Sequence, residues 1–344
     1  MKLIIANTGS YPRAGDSPEL QTLRKTIAAV DRGEMTSADL ADAENEMTRR
    51  AIEEQARAGV ELLTDGQIRW HDPISHLAGK LAGVKINGLL RFFDTNTYFR
   101  QPVLMGKPER KGPLVVEEYR FACNALGQIP TGREGTVRVA VKQVLTGPYT
   151  LAKLSLVEDP AMQPLEARAE AYAAALADEV KALGESGAEF IQVDEPAIIQ
   201  VPNDWGVFTQ ALEPLIRARD AVRKAGRKLQ LALYAYFHNP APFYEKLAQL
   251  PVDALGLDFT YDATLVDVVA AAGSPRPLGL GLVDGRNTKL ESPTEVARVV
   301  ERLLPKIKGE RAYLGPSSGL EYLPRDGAAA KLELLGKIRA AVNG

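Results

Sequence analysis

Two adjacent carboxylates, Asp194 and Glu195, stand between the apolar run Phe190-Ile191-Gln192-Val193 and Pro196. So placed, a pair of acids can bind an ammonium group or divide acid and base work between them; alternatively, one of them caps the helix that follows. Asp258 closes a second apolar run, Leu255-Gly256-Leu257, where a charge is costly unless it meets a partner. It is a catalytic candidate, with a structural ion pair as the competing role. Asp284-Gly285-Arg286-Asn287 carries both signs of charge on a flexible turn, and Gly315 to Gly319, with Ser317 and Ser318, offers hydroxyls and backbone amides. Together these two clusters suit an anion. Tyr234, Tyr236 and His238 alternate along the end of another run, so they share one side of a strand, facing either a pocket or the packing around it. His71 and His76 are five apart and miss the i,i+4 spacing of a helical metal pair.

Each cluster needs a strand to deliver it, and the chain supplies eight apolar runs ending in polar residues: 2–7, 60–64, 137–146, 189–193, 228–236, 254–259, 278–283 and 311–314. The first three end in Asn7-Thr8-Gly9-Ser10, Thr64-Asp65-Gly66-Gln67 and Thr146-Gly147-Pro148. Helical stretches separate most of the runs, among them 37–57, opened by the capping signal Ser37-Ala38-Asp39, and the alanine-rich 165–186. Eight strand-helix units predict an α/β chain folded as a (β/α)8 TIM barrel, which gathers its functional groups at the carboxyl ends of the strands. Residues 67–135 show no such repeat and are expected to form a long, hairpin-like insertion after strand 2. Within it, Arg91-Phe92-Phe93 and Asn96-Thr97-Tyr98-Phe99-Arg100 interleave rings and cations, suited to stacking a planar ligand or to hairpin and subunit packing. No GxGxxG fingerprint or Walker-type phosphate loop occurs.

With 344 residues and 45% hydrophobic content, the chain is expected to be one barrel domain spanning 1–344. Its 42 basic and 44 acidic residues leave a formal charge of −2, so no global field recruits nucleic acid or an anionic membrane. A small-molecule substrate is the expected partner. No apolar run approaches the ~20 residues of a membrane helix, and 1–6 is too short for a signal-peptide core, so the expected location is cytoplasmic. The single cysteine, Cys123, excludes an internal disulfide and a thiolate-rich metal site.

Six motifs, taken in order, carry a resemblance. Thr8-Gly9-Ser10-Tyr11-Pro12, Thr64-Asp65-Gly66-Gln67, Leu145 to Thr150, Ile191 to Ala197, Leu280 to Asn287 and Gly315 to Leu320 resemble the cobalamin-independent methionine synthase family across almost the whole chain. The resemblance implies a (β/α)8 barrel, here a single-barrel relative, and methyl transfer from a methyl-folate or methyl-corrinoid donor to homocysteine. It implies that Gly9 and Ser10 hold the substrate carboxylate and Asp194 its ammonium, while Gln67 stands where the family has a glutamate. Tyr234, Tyr236, Asp284, Arg286, Asn287 and Ser318 complete the expected substrate-binding set. Zinc is the family's cofactor, yet its ligand positions fall on Leu233, Ala235, Asp258 and Ser318, so three of four ligands are replaced and no metal site is expected. Three functions follow from this mixture: a methyltransferase with an atypical or absent zinc site; a metal-free lyase or decarboxylase using Asp194, Glu195, Asp258 and Arg286; and a non-catalytic barrel assisting a corrinoid or zinc-bearing partner protein.

Overall fold

The strands that read as unbroken apolar runs, 190–194, 254–258 and 278–283 among them, are buried on both faces. The computed structural model describes residues 1–93, 95–129 and 139–342. Its strands are β1 (Lys2–Ile5), β2 (Leu62–Leu63), β3 (Ala82–Arg91), β4 (Tyr98–Glu109), β5 (Ala140–Val141), β6 (Gln143–Thr146), β7 (Leu156–Val157), β8 (Phe190–Asp194), β9 (Gln230–Ala235), β10 (Ala254–Asp258), β11 (Leu278–Val283) and β12 (Arg311–Pro316). Seven of them form one all-parallel sheet in the order β1-β12-β11-β10-β9-β8-β6. A second parallel pair, β2 with β5, touches the free edge of β1 through the bridge between Ala6 and Leu62. The expected run 137–146 is broken at Lys142 into β5 and β6; its residues 137 and 138, like the last part of 67–135, lie outside the described residues.

Helices follow the strands and cover the outer face. Thr36, one residue ahead of the expected cap, closes a capping box with Asp39 at the head of Ser37–Arg57. The helix Leu165–Glu185 lies against Trp205–Lys224, and Gly184 leaves room for Val222 between them: a β-carbon there would sit 2.7 Å from Val222. Between β2 and β5 come the short helix Ser75–Ala78, the antiparallel hairpin β3–β4, and the helix Val116–Gly127.

That hairpin reaches back over the carboxyl edge of the main sheet. Phe92 and Phe93 at its turn pack on Phe237, just past β9, with ring centroids 5.7 and 5.8 Å apart, and Phe237 also meets Tyr236 and Tyr322. Phe92 and Phe99 are buried, so their rings serve hairpin packing, one of the two roles their sequence suggested. Phe93 (φ 48°) and Phe237 (φ 69°) both adopt the left-handed backbone conformation, uncommon for aromatic residues and tolerated where packing over-determines the chain.

Candidate active site at the carboxyl edge of the sheet

Asp194 ends β8 and faces the same side as Gln192, because alternate residues of a strand share a face. Its Oδ1 accepts from Gln192 Nε2 at 2.7 Å and its Oδ2 from Tyr236 Oη at 2.9 Å. Gln192 in turn donates to the Thr8 carbonyl at 2.6 Å and accepts from Lys142 Nζ. The Lys142 ammonium also lies over the Tyr234 ring, 4.8 Å from its centroid. Burial pushes the Asp194 carboxyl up and the Lys142 ammonium down, and the opposite charge of each partly restores the other. A buried anion and a buried cation thus share one amide between them.

The loops after β1, β2 and β12 meet beside this network. Thr8 Oγ1 donates to the Pro316 carbonyl, and the Ser10 carbonyl accepts from Leu320 N at 2.9 Å. The Gly9 carbonyl accepts from Asn7 Nδ2 at 3.0 Å and from Thr64 Oγ1 at 2.6 Å. Gln67 sits against Gly9, where an added β-carbon would stand 3.3 Å from Gln67 Oε1, and holds a left-handed φ of 50°. Ser10 and Gln67 are both buried. Glu321 and Tyr322 border the same space; burial raises the Glu321 carboxyl, with hydrogen bonds from Tyr322 and Ser10 working against it.

Asp258, at the end of β10, anchors a second cluster. Its Oδ1 accepts from Thr260 N (2.9 Å), Thr260 Oγ1 (2.7 Å) and Tyr261 N (3.1 Å), while Oδ2 is buried with no hydrogen-bond donor and lies 3.7 Å from Arg286 Nη1. Burial raises its carboxyl, and Arg286 opposes that shift. Arg286 is itself held by Asp284 Oδ1 at 3.0 Å and Thr260 Oγ1 at 3.1 Å, over the Tyr261 ring. Asn287 donates to Asp284 at 2.5 Å, and Ser318 packs beside Gly285. Asp284 and Arg286 therefore satisfy one another, and the guanidinium is the cation nearest the free oxygen of Asp258.

The family's zinc does not fit this donor set. Leu233 and Ala235, where the ligand pair was expected, point by alternation with Tyr234 to the face opposite Asp194, which corrects that placement; Tyr234 and Tyr236 are the residues of this segment that reach the site, and neither is a histidine or a cysteine. Ser318 offers a hydroxyl in place of a thiolate, and Asp258 is already matched to Arg286. Among the described residues, no three His, Cys, Asp or Glu side chains converge as a metal site.

Glu195 turns away from Asp194, as the next residue along must. Its carboxylate is fully buried and accepts from Tyr149 N at 3.0 Å, Thr150 N at 2.7 Å and Thr150 Oγ1 at 2.6 Å, capping the helix Pro148–Leu154. Burial lifts it to about 7 against those donors. The acid-base pair expected of Asp194 and Glu195 is therefore corrected: one carboxylate faces the site and the other caps a helix, although not the helix that follows it. His238 packs at a tilt against Tyr261, ring centroids 5.4 Å apart, and His76 stacks on Trp70 and bonds Glu118 at 2.8 Å, remote from both clusters in its contacts.

Two residues of the site escaped sequence reading. Lys142 and Gln192 lie inside strands read as apolar runs, and the signal available was that a lysine and an amide there need buried partners.

Known proteins resemble this chain over nearly its whole length. Residues 3–341 match the family model described as the cobalamin-independent synthase catalytic domain. The methionine synthase of Thermococcus kodakarensis is 29% identical over 94% of this chain and 88% of its own length, and that of Sulfurisphaera tokodaii is 30% identical over the same shares. A B12-independent methionine synthase from Shewanella sp. W3-18-1, solved with selenomethionine, shares the fold with a TM-score of 0.76 at 19% identity, covering 100% of this chain and 98% of that one. The chain belongs to the cobalamin-independent synthase catalytic-domain family.

Proposed function

We propose that this chain is a methionine-synthase-like methyltransferase that passes a methyl group from a methyl-folate or methyl-corrinoid donor to the thiol of homocysteine or a close analogue. The observation that carries the reading is the match across residues 3–341, with Asp194 presented at the end of β8 by Gln192 and Tyr236. Asp194 takes the substrate ammonium. Ser10 and the backbone at Gly9 take its carboxylate, and Gln67 borders that side. At the sulfur end Asp258 accepts the thiol proton on Oδ2, the oxygen without a donor, and the thiolate attacks the methyl carbon as the demethylated donor leaves. Arg286, Asp284, Asn287 and Ser318 shape that end, and Tyr234 and Tyr236 line the floor.

A closed (β/α)8 barrel fits this reading. The bridge from Ala6 to Leu62, the pairing of β2 with β5, and that of β6 with β8 are the links such a ring requires. Among the described residues no helix is long and apolar enough to cross a membrane, in keeping with a cytoplasmic enzyme of small substrates.

The absence of a soft ligand among Tyr234, Tyr236 and Ser318 at the site favours a second reading, in which a zinc-bearing partner protein activates the thiol and this chain assists it. Methionine formation from homocysteine is the test, run with each methyl donor, with and without zinc. Product from the purified chain supports the first reading. No product under any condition refutes it, and activity restored only by a co-purifying zinc protein supports the second.

A further inference from the structure

We infer that Lys142 is the positioning residue of the amino-acid site, acting through the Gln192 amide on Asp194 and on the Thr8 carbonyl together. This deepens the function proposed above and rests on its assignment of Asp194 to the substrate ammonium. An ammonium group can only donate, so Lys142 requires the oxygen of the Gln192 amide to face it. That choice turns the amide nitrogen the other way. Its two hydrogens then fall to Asp194 Oδ1 at 2.7 Å and to the Thr8 carbonyl at 2.6 Å. Thr8 directly precedes Gly9 and Ser10, the proposed carboxylate side, and Asp194 is the proposed ammonium side. One buried lysine thereby sets the spacing of both ends of an α-amino acid.

Lys142 has no competing use. It is 1% exposed, its hydrogen-bond partner is Gln192, and its other neighbour is the Tyr234 ring. Burying an ammonium this deeply is costly, and the Lys142 backbone is itself held in place, its N–H donating to the Leu63 carbonyl at 2.8 Å. Without the ammonium, Gln192 is free to rotate its amide and present oxygen to Asp194. Two acceptors then oppose each other, which favours the protonated acid and weakens its hold on an ammonium. The titratable groups on the Asp194 side are Lys142, Tyr234, Tyr236 and Tyr322, and Glu195 acts on it from the other face of the strand; Lys142 is the cation among them.

The experiment reads the Asp194 carboxyl directly, by carbon-13 NMR of aspartate-labelled full-length protein, with Asp194→Asn assigning the signal. In Lys142→Met the midpoint is expected to rise by about one pH unit or more, with Lys142→Arg returning it toward the parent value. A second variant, Gln192→Leu, keeps the lysine and removes the relay, and is expected to raise the midpoint as well. A folded Lys142→Met protein with the parent midpoint overturns the inference, as does Gln192→Leu titrating like the parent. Calorimetry with L-methionine is run alongside, and Lys142→Met is expected to bind at least about tenfold more weakly at pH 7. Failure of the parent protein to bind L-methionine counts against the proposed function, while the NMR titration still decides the role of Lys142.

Discussion

Gly147→Ala probes whether Glu195 is structural or catalytic. Gly147 has φ −73° and ψ 157°, a backbone conformation alanine adopts freely, so its cost is steric alone. A β-carbon at that position falls on the carboxylate group of Glu195, far inside van der Waals contact. The carboxylate cannot step aside without breaking its hydrogen bonds to Tyr149 N, Thr150 N and Thr150 Oγ1, and it is fully buried. Overpacking alone costs about 1–3 kcal/mol. Loss of even one hydrogen bond to an ionised, buried group adds about 1.5–3 kcal/mol. The expected destabilisation is therefore about 3–5 kcal/mol, read as a lowered denaturant midpoint at unchanged slope. Glu195→Ala removes the obstacle along with the cap, so the double variant should be far from additive, with a coupling of at least about 1.5 kcal/mol. A Gly147→Ala protein within about 0.5 kcal/mol of the parent, or an additive cycle, would refute the packing argument. Glu195→Ala that abolishes turnover at parental stability would return Glu195 to the catalytic set.

Further outcomes are expected elsewhere. Asp194→Asn removes the charge that meets the substrate ammonium and should weaken L-methionine binding by about 3 kcal/mol, more than a hundredfold, in calorimetry; unchanged affinity removes Asp194 from the site. Phe237→Ala deletes the ring on which Phe92, Phe93, Tyr236 and Tyr322 converge, costing about 3–5 kcal/mol. Faster amide exchange at the hairpin turn should accompany the loss, and unaltered exchange there means the hairpin is held by other contacts. Burial pushes the Glu118 carboxyl up, yet His76 and Lys80 outweigh it and hold it at about 2, below its ordinary 4.5. A depressed carboxyl stabilises the fold above its unfolded value, and that contribution of about 3 kcal/mol is lost as pH falls from 4.5 through 2. Glu118→Gln should flatten this acid slope in urea midpoints, and an unchanged slope assigns the acid sensitivity to other groups.

The alternation of apolar runs with polar ends determined the parallel α/β architecture and the set of loops that meet at its carboxyl edge, because burial on both faces writes continuous apolarity into a strand. It also brought Asp194, Tyr236, Asp258, Arg286 and Ser10 onto the candidate list by position along the chain. Asp194 and Glu195 are adjacent in sequence, but strand geometry sends them to opposite faces, and that divergence could have been read from the period of two. What no local pattern held was the partnership of Lys142, Gln192, Asp194 and Thr8. These residues lie up to 184 positions apart in the chain, and a polar group inside an apolar run reveals its purpose only when the fold supplies its partner. The same holds for Arg286 beside Asp258: each charge was visible alone, and only tertiary packing made the guanidinium the counter-ion of that carboxylate.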